Sequence, residues 1–187
     1  GRLLAELTHD DPKLRADAAW EVGRQRLLTA SPILGRLLRD REAPVRRNAA
    51  WALGELGRPE SAFPLHDRLL REPDPSVQAE LAIALGKVRY RTARPLLLGL
   101  TWKSDPVLQA AGISAVGYLS DPSAMSTLLR FQSSPDPMLR KALAEALGRT
   151  DGLDARSVLL KLLGDPATAV QAAALEDNAG QYAALAE

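Results

Sequence analysis

The chain has 187 residues, enough for one large domain or two small ones. It is 46% apolar but only 4% aromatic, with Ala and Leu carrying the apolar load, so helices are favoured over strands. A net charge of +1 gives no whole-chain bias toward nucleic acid or anionic membrane, and the absence of cysteine excludes disulfides and thiolate metal sites. No apolar run approaches the length of a membrane span, and no signal peptide opens the chain, so no membrane insertion and a cytoplasmic location are expected. The first residue is Gly1, inside a helical pattern (GRLLAEL), which reads as part of a longer protein.

Along the chain one phrase returns. LRADAAWEVG ends on Gly23, VRRNAAWALG on Gly54, and further copies end on Gly86, Gly117 and Gly148, at spacings of 31, 32, 31 and 31. Nine and eight residues before each Gly stand Leu14-Arg15, Val45-Arg46, Val77-Gln78, Leu108-Gln109 and Leu139-Arg140. An acid precedes each pair by three: Asp11, Glu42, Asp74, Asp105 and Asp136. Pro follows it at 12, 75, 106 and 137, with Ala43-Pro44 in the second copy. A degraded sixth copy lies around Val170-Gln171, with Asp165-Pro166 slipped two residues earlier. Residues 151–187 hold two basic against six acidic side chains, a local charge of −4.

Each unit reads as a helix A and a helix B. The acid is the N-cap of helix B and Pro its first residue. Val45, Ala49 and Leu53, or Val77, Leu81 and Leu85, line one face at i, i+4, i+8. The recurrent Gly is expected to end the helix. Helix A is Leu-rich (Leu34, Leu37, Leu38; Leu65, Leu69, Leu70; Leu96, Leu97, Leu100; Leu159, Leu162, Leu163) and carries Pro near its start. Such a hairpin cannot bury its apolar face alone, and stacked copies can. The expected fold is all-α: a right-handed superhelical solenoid of about six hairpins of ~31 residues, one domain over 1–187, regular over 1–164 and divergent over 165–187.

The phrases EAPVRRNAAWALGELG and PDPSVQAELAIALGKV resemble the short HEAT-like repeat of phycobilisome (bilin) lyase subunits. The resemblance covers about five units and implies the fold. It also implies a ladder between neighbouring units, pairing the turn acids Asp11, Glu42, Asp74, Asp105 and Asp136 with Arg15, Arg46, Gln78, Gln109 and Arg140, and weaker where Gln stands. It further implies that helix B lines the concave face.

Trp51 follows the apolar Ala49 by two residues, about 200° around the helix, and Trp20 follows Ala18 in the same way. Both face away from the core stripe. Asp17, Trp20, Arg24, Asn48, Trp51, Glu55, Glu80, Ile83 and Tyr118 form a stripe that changes from unit to unit while the apolar positions hold steady. An exposed Trp pair among charges has the character of a binding hot spot; the competing reading is that the indoles lean on each other as packing. Lys87, Arg89, Arg91 and Arg94 around Tyr90 form a candidate basic ridge for phosphates or an acidic protein, against the reading that cations merely suit helix C-termini. Trp102 and Phe131 read as packing residues.

Chemistry is thinly represented. His9-Asp10 and His66-Asp67 sit at non-equivalent places, and the HEAT-like hydroxylases that bind two irons use His-Glu pairs, so no metal is expected. No phosphate loop and no nucleophile–base arrangement occurs, so no enzyme and no cofactor is expected. The expected function is a protein-interaction scaffold or regulatory module, monomeric as an isolated domain, that binds another protein on its helix-B face. The alternative is an accessory subunit resembling a bilin (phycocyanobilin) lyase. Nucleic-acid binding through the basic ridge ranks third.

Overall fold

The computed structural model describes residues 1–150 and 152–183; positions 151 and 184–187 of the expected divergent repeat lie outside the described residues. Its twelve α-helices alternate as helix A and helix B. The A helices are α1 (Arg2–Glu6), α3 (Ser31–Leu37), α5 (Ala62–Leu69), α7 (Arg94–Leu100), α9 (Met125–Leu129) and α11 (Leu153–Leu162). The B helices are α2 (Pro12–Gln25), α4 (Ala43–Leu56), α6 (Pro75–Lys87), α8 (Pro106–Leu119), α10 (Pro137–Gly148) and α12 (Thr168–Ala183). No strand occurs among the described residues. The fold class is therefore all-α, in six A/B hairpins.

Two compact units result, Gly1–Ala93 and Arg94–Glu187. In the first, α2 packs on α4 and α4 on α6, while α3 and α5 cover their own B helices. In the second, α8 packs on α10 and α10 on α12, with α7 and α11 covering α8 and α12. Val45, Ala49, Leu53, Val77, Leu81 and Leu85 are all buried, as their spacing requires. Each buried Val or Leu contributes about 1.5–3 kcal/mol of transfer free energy. Leu70 departs from the Leu pattern and is exposed, although Leu38, also one residue past the end of its A helix, is buried.

The turn acids are caps. Asp11 accepts from the Lys13 amide at 2.8 Å, Asp74 from Ser76 and Val77, Asp105 from Val107 and Leu108, and Asp136 from Met138. Glu42 makes no such side-chain cap. This corrects the expected ladder, because the caps are not the partners of the helix-B arginines. Those partners stand two residues before the next cap. Arg15 donates Nε and Nη2 to Asp40 at 2.8 and 3.0 Å, Arg46 to Glu72 at 2.9 and 2.8 Å, and Arg140 to Asp165 at 2.7 and 2.9 Å. The pairs are bidentate, the strongest geometry a guanidinium offers a carboxylate.

Each arginine also spends Nη1 on carbonyls of its own preceding turn: His9 and Asp10, Asp40 and Arg41, or Ser134 and Pro135. Each acid in turn accepts the backbone N–H of the residue two positions on. Asp165 is thus not a cap slipped out of register; it is the acid of such a rung. Gln78 and Gln171 keep only the carbonyl contact, donating to Glu72 and Asp165 six residues back, while Gln109 reaches only the Thr101 carbonyl, at 3.5 Å.

Gly148 is the last residue of α10, as expected, but other recurrent glycines differ from expectation. Gly23 and Gly54 lie inside α2 and α4, two residues before the helix ends. A Cβ on Gly23 would come within 2.5 Å of Trp51 Cζ3 and 2.8 Å of Ala52 Cα. One on Gly117 would come within 2.6 Å of Ala146 Cβ and 2.7 Å of its Cα. These residues are glycine so that successive B helices can touch, not so that a helix can stop.

Candidate functional site

On α2, α4 and α6 the variable stripe forms three rows. Asp17, Asn48 and Glu80 make the first, Trp20, Trp51 and Ile83 the second, and Arg24, Glu55 and Lys87 the third. In the middle row the indoles of Trp20 and Trp51 stack, with centroids 5.9 Å apart and planes 14° from parallel. Trp20 keeps 47% of its surface exposed. Trp51 is half-buried, its ring edge seated in the space left by Gly23. The pair therefore combines a packing contact with an open aromatic face. Ile83 is half-buried at the far end of the row.

The flanking rows hold the aromatic row in place. Asn48 donates Nδ2 to the Ala16 carbonyl at 2.9 Å, and Lys87 Nζ donates to Glu55 at 2.5 Å, with Arg26 3.7 Å from the other oxygen of Glu55. Arg24 turns back on Glu21 of its own helix. Arg24 and Gln25 together hold the Glu21 carboxyl down to about 2. Glu80 is half-buried, and burial pushes its carboxyl up, opposed by the charges of Lys87 and Arg47 and reinforced by that of Glu55. Asp17 is exposed, and its carboxylate has no hydrogen-bond or ion-pair partner among the described residues.

Tyr118 lies in the other unit, on α8. The Arg149 guanidinium stacks over its ring at 4.2 Å and donates Nη2 to its hydroxyl at 3.4 Å. Of the basic ridge, Lys87 is committed to Glu55, and Arg94 pairs through Nε with Asp121 and donates Nη2 to Ser123 Oγ at 2.7 Å. Arg89 is exposed in a left-handed turn, φ 56°, and Arg91 is exposed. Tyr90 is occupied by an edge contact with His66, centroids 5.6 Å apart. His9 accepts the Asp11 amide on Nδ1 at 3.0 Å.

Phe131 is buried, as expected, but Trp102 is not: 70% of its surface is exposed. The Arg130 guanidinium lies 3.4 Å from its ring centroid and donates to the carbonyl and hydroxyl of Thr101. Burial holds the Arg130 pKa below its ordinary value. The repeat register carries the signal for this exposure. Trp102 stands three residues before a cap, a place held elsewhere by Arg39, Arg71 and Ser133, all exposed.

Paired helices in a fixed register, knitted by arginine rungs and glycine contacts, define an α-helical repeat protein whose variable face is helix B. Residues 2–69 and 96–177 match the family model described as HEAT repeats, and the chain belongs to that family. Among solved structures it is similar to the complex of CpcE and CpcF of phycocyanin lyase from Nostoc sp. PCC7120, at 27% identity and a TM-score of 0.77, over 94% of this chain and 74% of that one. It is also similar to YibA of E. coli, at 15% identity, TM-score 0.62, over 94% and 68% of the two chains. A designed armadillo repeat protein matches at 17% identity, TM-score 0.62, over 94% and 97%. No curated protein sequence matches. No helix among the described residues is long and apolar enough to cross a membrane.

Proposed function

We propose that the chain is a protein-interaction scaffold whose helix-B face, centred on Trp20 and Trp51, receives a partner protein. The observation that carries this reading is the stacked indole pair. A large apolar surface is left half open, yet its position is fixed by Gly23, Asn48 and the Glu55–Lys87 pair. Rigid, partly exposed aromatics ringed by polar groups lose little side-chain entropy on binding and dominate interface energetics. Asp17, Arg24, Glu80 and Ile83 form the rim of the same site. The basic ridge supports nucleic-acid binding less well, since Lys87 and Arg94 already have carboxylate partners.

A second reading has its own support. The likeness to the CpcE–CpcF complex, at 27% identity, fits an accessory subunit of a bilin lyase that works beside a second chain. The test uses the wild-type chain, Trp20→Ala, and Arg89→Ala with Arg91→Ala as baits in lysate of the source cells. Under the scaffold reading, a protein is retained by the wild type and the arginine variant and lost from Trp20→Ala. Equal retention by all three baits sinks the site. Phycocyanobilin added to the chain with its captured partner tests the second reading: an unchanged visible absorption spectrum removes it.

A further inference from the structure

Beside Trp20 the first unit holds a cavity of about 530 Å³. Its apolar wall is the Trp20 indole with Leu3 and Leu14. Its polar wall is Glu6, Asp17 and Glu21. Arg2 is the one cation among the described lining residues, and it already donates Nε to Glu6 at 2.6 Å. The lining thus carries three carboxylates against one guanidinium. Glu6 has Arg2, and Glu21 has Arg24 and Gln25. Asp17, three residues before Trp20 and so on the same side of α2, has no partner among the described residues.

An indole face, two leucines and an uncompensated carboxylate are complementary to one kind of side chain: a long apolar stem ending in a cation. Guanidinium and ammonium groups are attracted to the π-face of Trp, most of all when partly desolvated. Their methylene stems cover apolar surface while the head reaches a carboxylate. A neutral apolar partner would fill the wall but leave Asp17 closed off without a counter-charge, which is costly. An acidic partner would face like charge.

We infer that this cavity is the anchor pocket for an arginine or lysine side chain of a partner protein, stacked on Trp20 and paired with Asp17. The inference rests on the scaffold reading above and gives the partner's chemistry at that site. The stacking half of this arrangement occurs inside the chain, where Arg130 lies over Trp102 and Arg149 over Tyr118.

The test titrates the full chain with an arginine-containing hexapeptide flanked by leucines, and with its twin carrying citrulline for arginine, while the indole N–H resonances are followed by NMR. The chain has three Trp residues, and Trp102 serves as the internal reference. The arginine peptide should shift the Trp20 resonance and leave that of Trp102 in place. The citrulline twin, which loses both the ion pair and the cation–π contact, should bind about tenfold more weakly, and the arginine peptide should bind Asp17→Asn about threefold more weakly. Asp17 is exposed, so Asp17→Asn keeps the fold and isolates the charge; in Trp20→Leu, checked for helicity by circular dichroism, binding is read at the stacked neighbour Trp51, whose resonance should shift with the arginine peptide in the wild type and stay in place in the variant.

Equal affinity for the two peptides, an unaltered affinity in Asp17→Asn, or a shift at Trp102 in place of Trp20 overturns the cation pocket. The two proposals fail separately. Partner capture that still needs Trp20 while the arginine peptide does not bind removes the pocket and leaves the scaffold. Capture that ignores Trp20 removes the scaffold site itself.

Discussion

In Gly1–Ala93, two consecutive B helices carry arginine, and both Arg15 and Arg46 reach an acid of the following turn. In Arg94–Glu187, the first B helix carries Gln109 instead, and the turn ahead of α10 offers Ser134 where Asp40 and Glu72 stand. Among the described residues there, Arg140 alone forms a rung, with Asp165. Helix α8 contains no charged residue, whereas α4 in the first unit carries Arg46, Arg47 and Glu55, yet eight of fourteen positions are buried in each. One backbone geometry is therefore held in two ways. A rung satisfies the carbonyls of the turn, the next turn's N–H and a charge pair together. Glutamine does the first alone, and the same extent of helix burial holds the hairpin with or without the charge pair.

Breaking a rung in the first unit should give the largest effect. Glu72 is buried and accepts from both Arg46 and Arg68. Glu72→Ala leaves a buried guanidinium without its counter-charge, a loss of about 3–5 kcal/mol. Hydrogen exchange should show faster opening of α4 and α6, with α8 and α10 little changed. Equal opening in both units would break the comparison.

Acid should act on the same rungs. Burial alone would raise the Glu72 carboxyl, but hydrogen bonds from Arg46 and Arg68 outweigh it and the net direction is down; Asp165 is lowered chiefly by Arg140. A carboxyl lower in the folded than in the unfolded chain contributes stability above its unfolded pKa of about 4 and loses it as pH falls through the folded value. The melting temperature should therefore fall below about pH 4, and the fall should be smaller in Glu72→Gln.

Next in size is Gly23→Ala. The added methyl meets Trp51 at 2.5 Å and the Ala52 backbone at 2.8 Å, so α2 and α4 must separate. Overpacking of this kind costs about 1–3 kcal/mol. It should also change near-ultraviolet dichroism, because the indole stack moves with the helices. Gly35→Ala, whose Cβ meets nothing within 4 Å, is the control.

Smaller again is Asp105→Ala, which removes the side-chain acceptor for the Val107 and Leu108 amides and should lower stability by about 1 kcal/mol with helicity retained. Asp105 is a cap and not a rung, so the loss should match that of Asp136→Ala, although Arg140 forms a rung from that same helix and Gln109 does not. A larger loss for Asp136→Ala would return the turn acids to the ladder.

What the sequence made legible follows from periodicity. Repeat length, helix pairing, caps and the core positions Val45, Ala49 and Leu53 recur with the register and could be read from one chain. The rung partners could not, because the resemblance pointed to the nearest acids while the geometry uses Asp40, Glu72 and Asp165. The clue was nevertheless present: where arginine becomes Gln109, the matching acid becomes Ser134. Glycine at the helix end looked like a stop signal because its neighbour in space lies some thirty residues away. Trp102 was misread because its aromatic character was weighed above its register. The stripe residues lie on B helices, but periodicity could not show that Asn48 and Glu55 are committed to inter-repeat contacts while Asp17 is not.

The smallest expected effects sharpen the comparison at the two exposed tryptophans. Trp20 in the first unit stacks on another indole, and Trp102 in the second carries a guanidinium. Trp20→Ala removes one stacked pair, worth about 0.5–1.5 kcal/mol beyond area burial. Trp102→Ala removes an exposed cation–π contact worth about 0.5–1 kcal/mol. Neither residue fills the core, so neither change should approach the about 3–5 kcal/mol of a buried Trp→Ala. Chemical denaturation can resolve the order. A Trp20→Ala loss in the buried range would mean that the indole pair is a structural plug at the edge of the first unit, and its open face would then be incidental. A loss near 1 kcal/mol leaves that face free to act, because the fold does not need the exposed half of Trp20. The same measurement on Trp51→Ala should cost more than Trp20→Ala, since Trp51 is half-buried against Gly23 and Ala52. The two indoles would thus divide the work, Trp51 anchoring the stack and Trp20 presenting it.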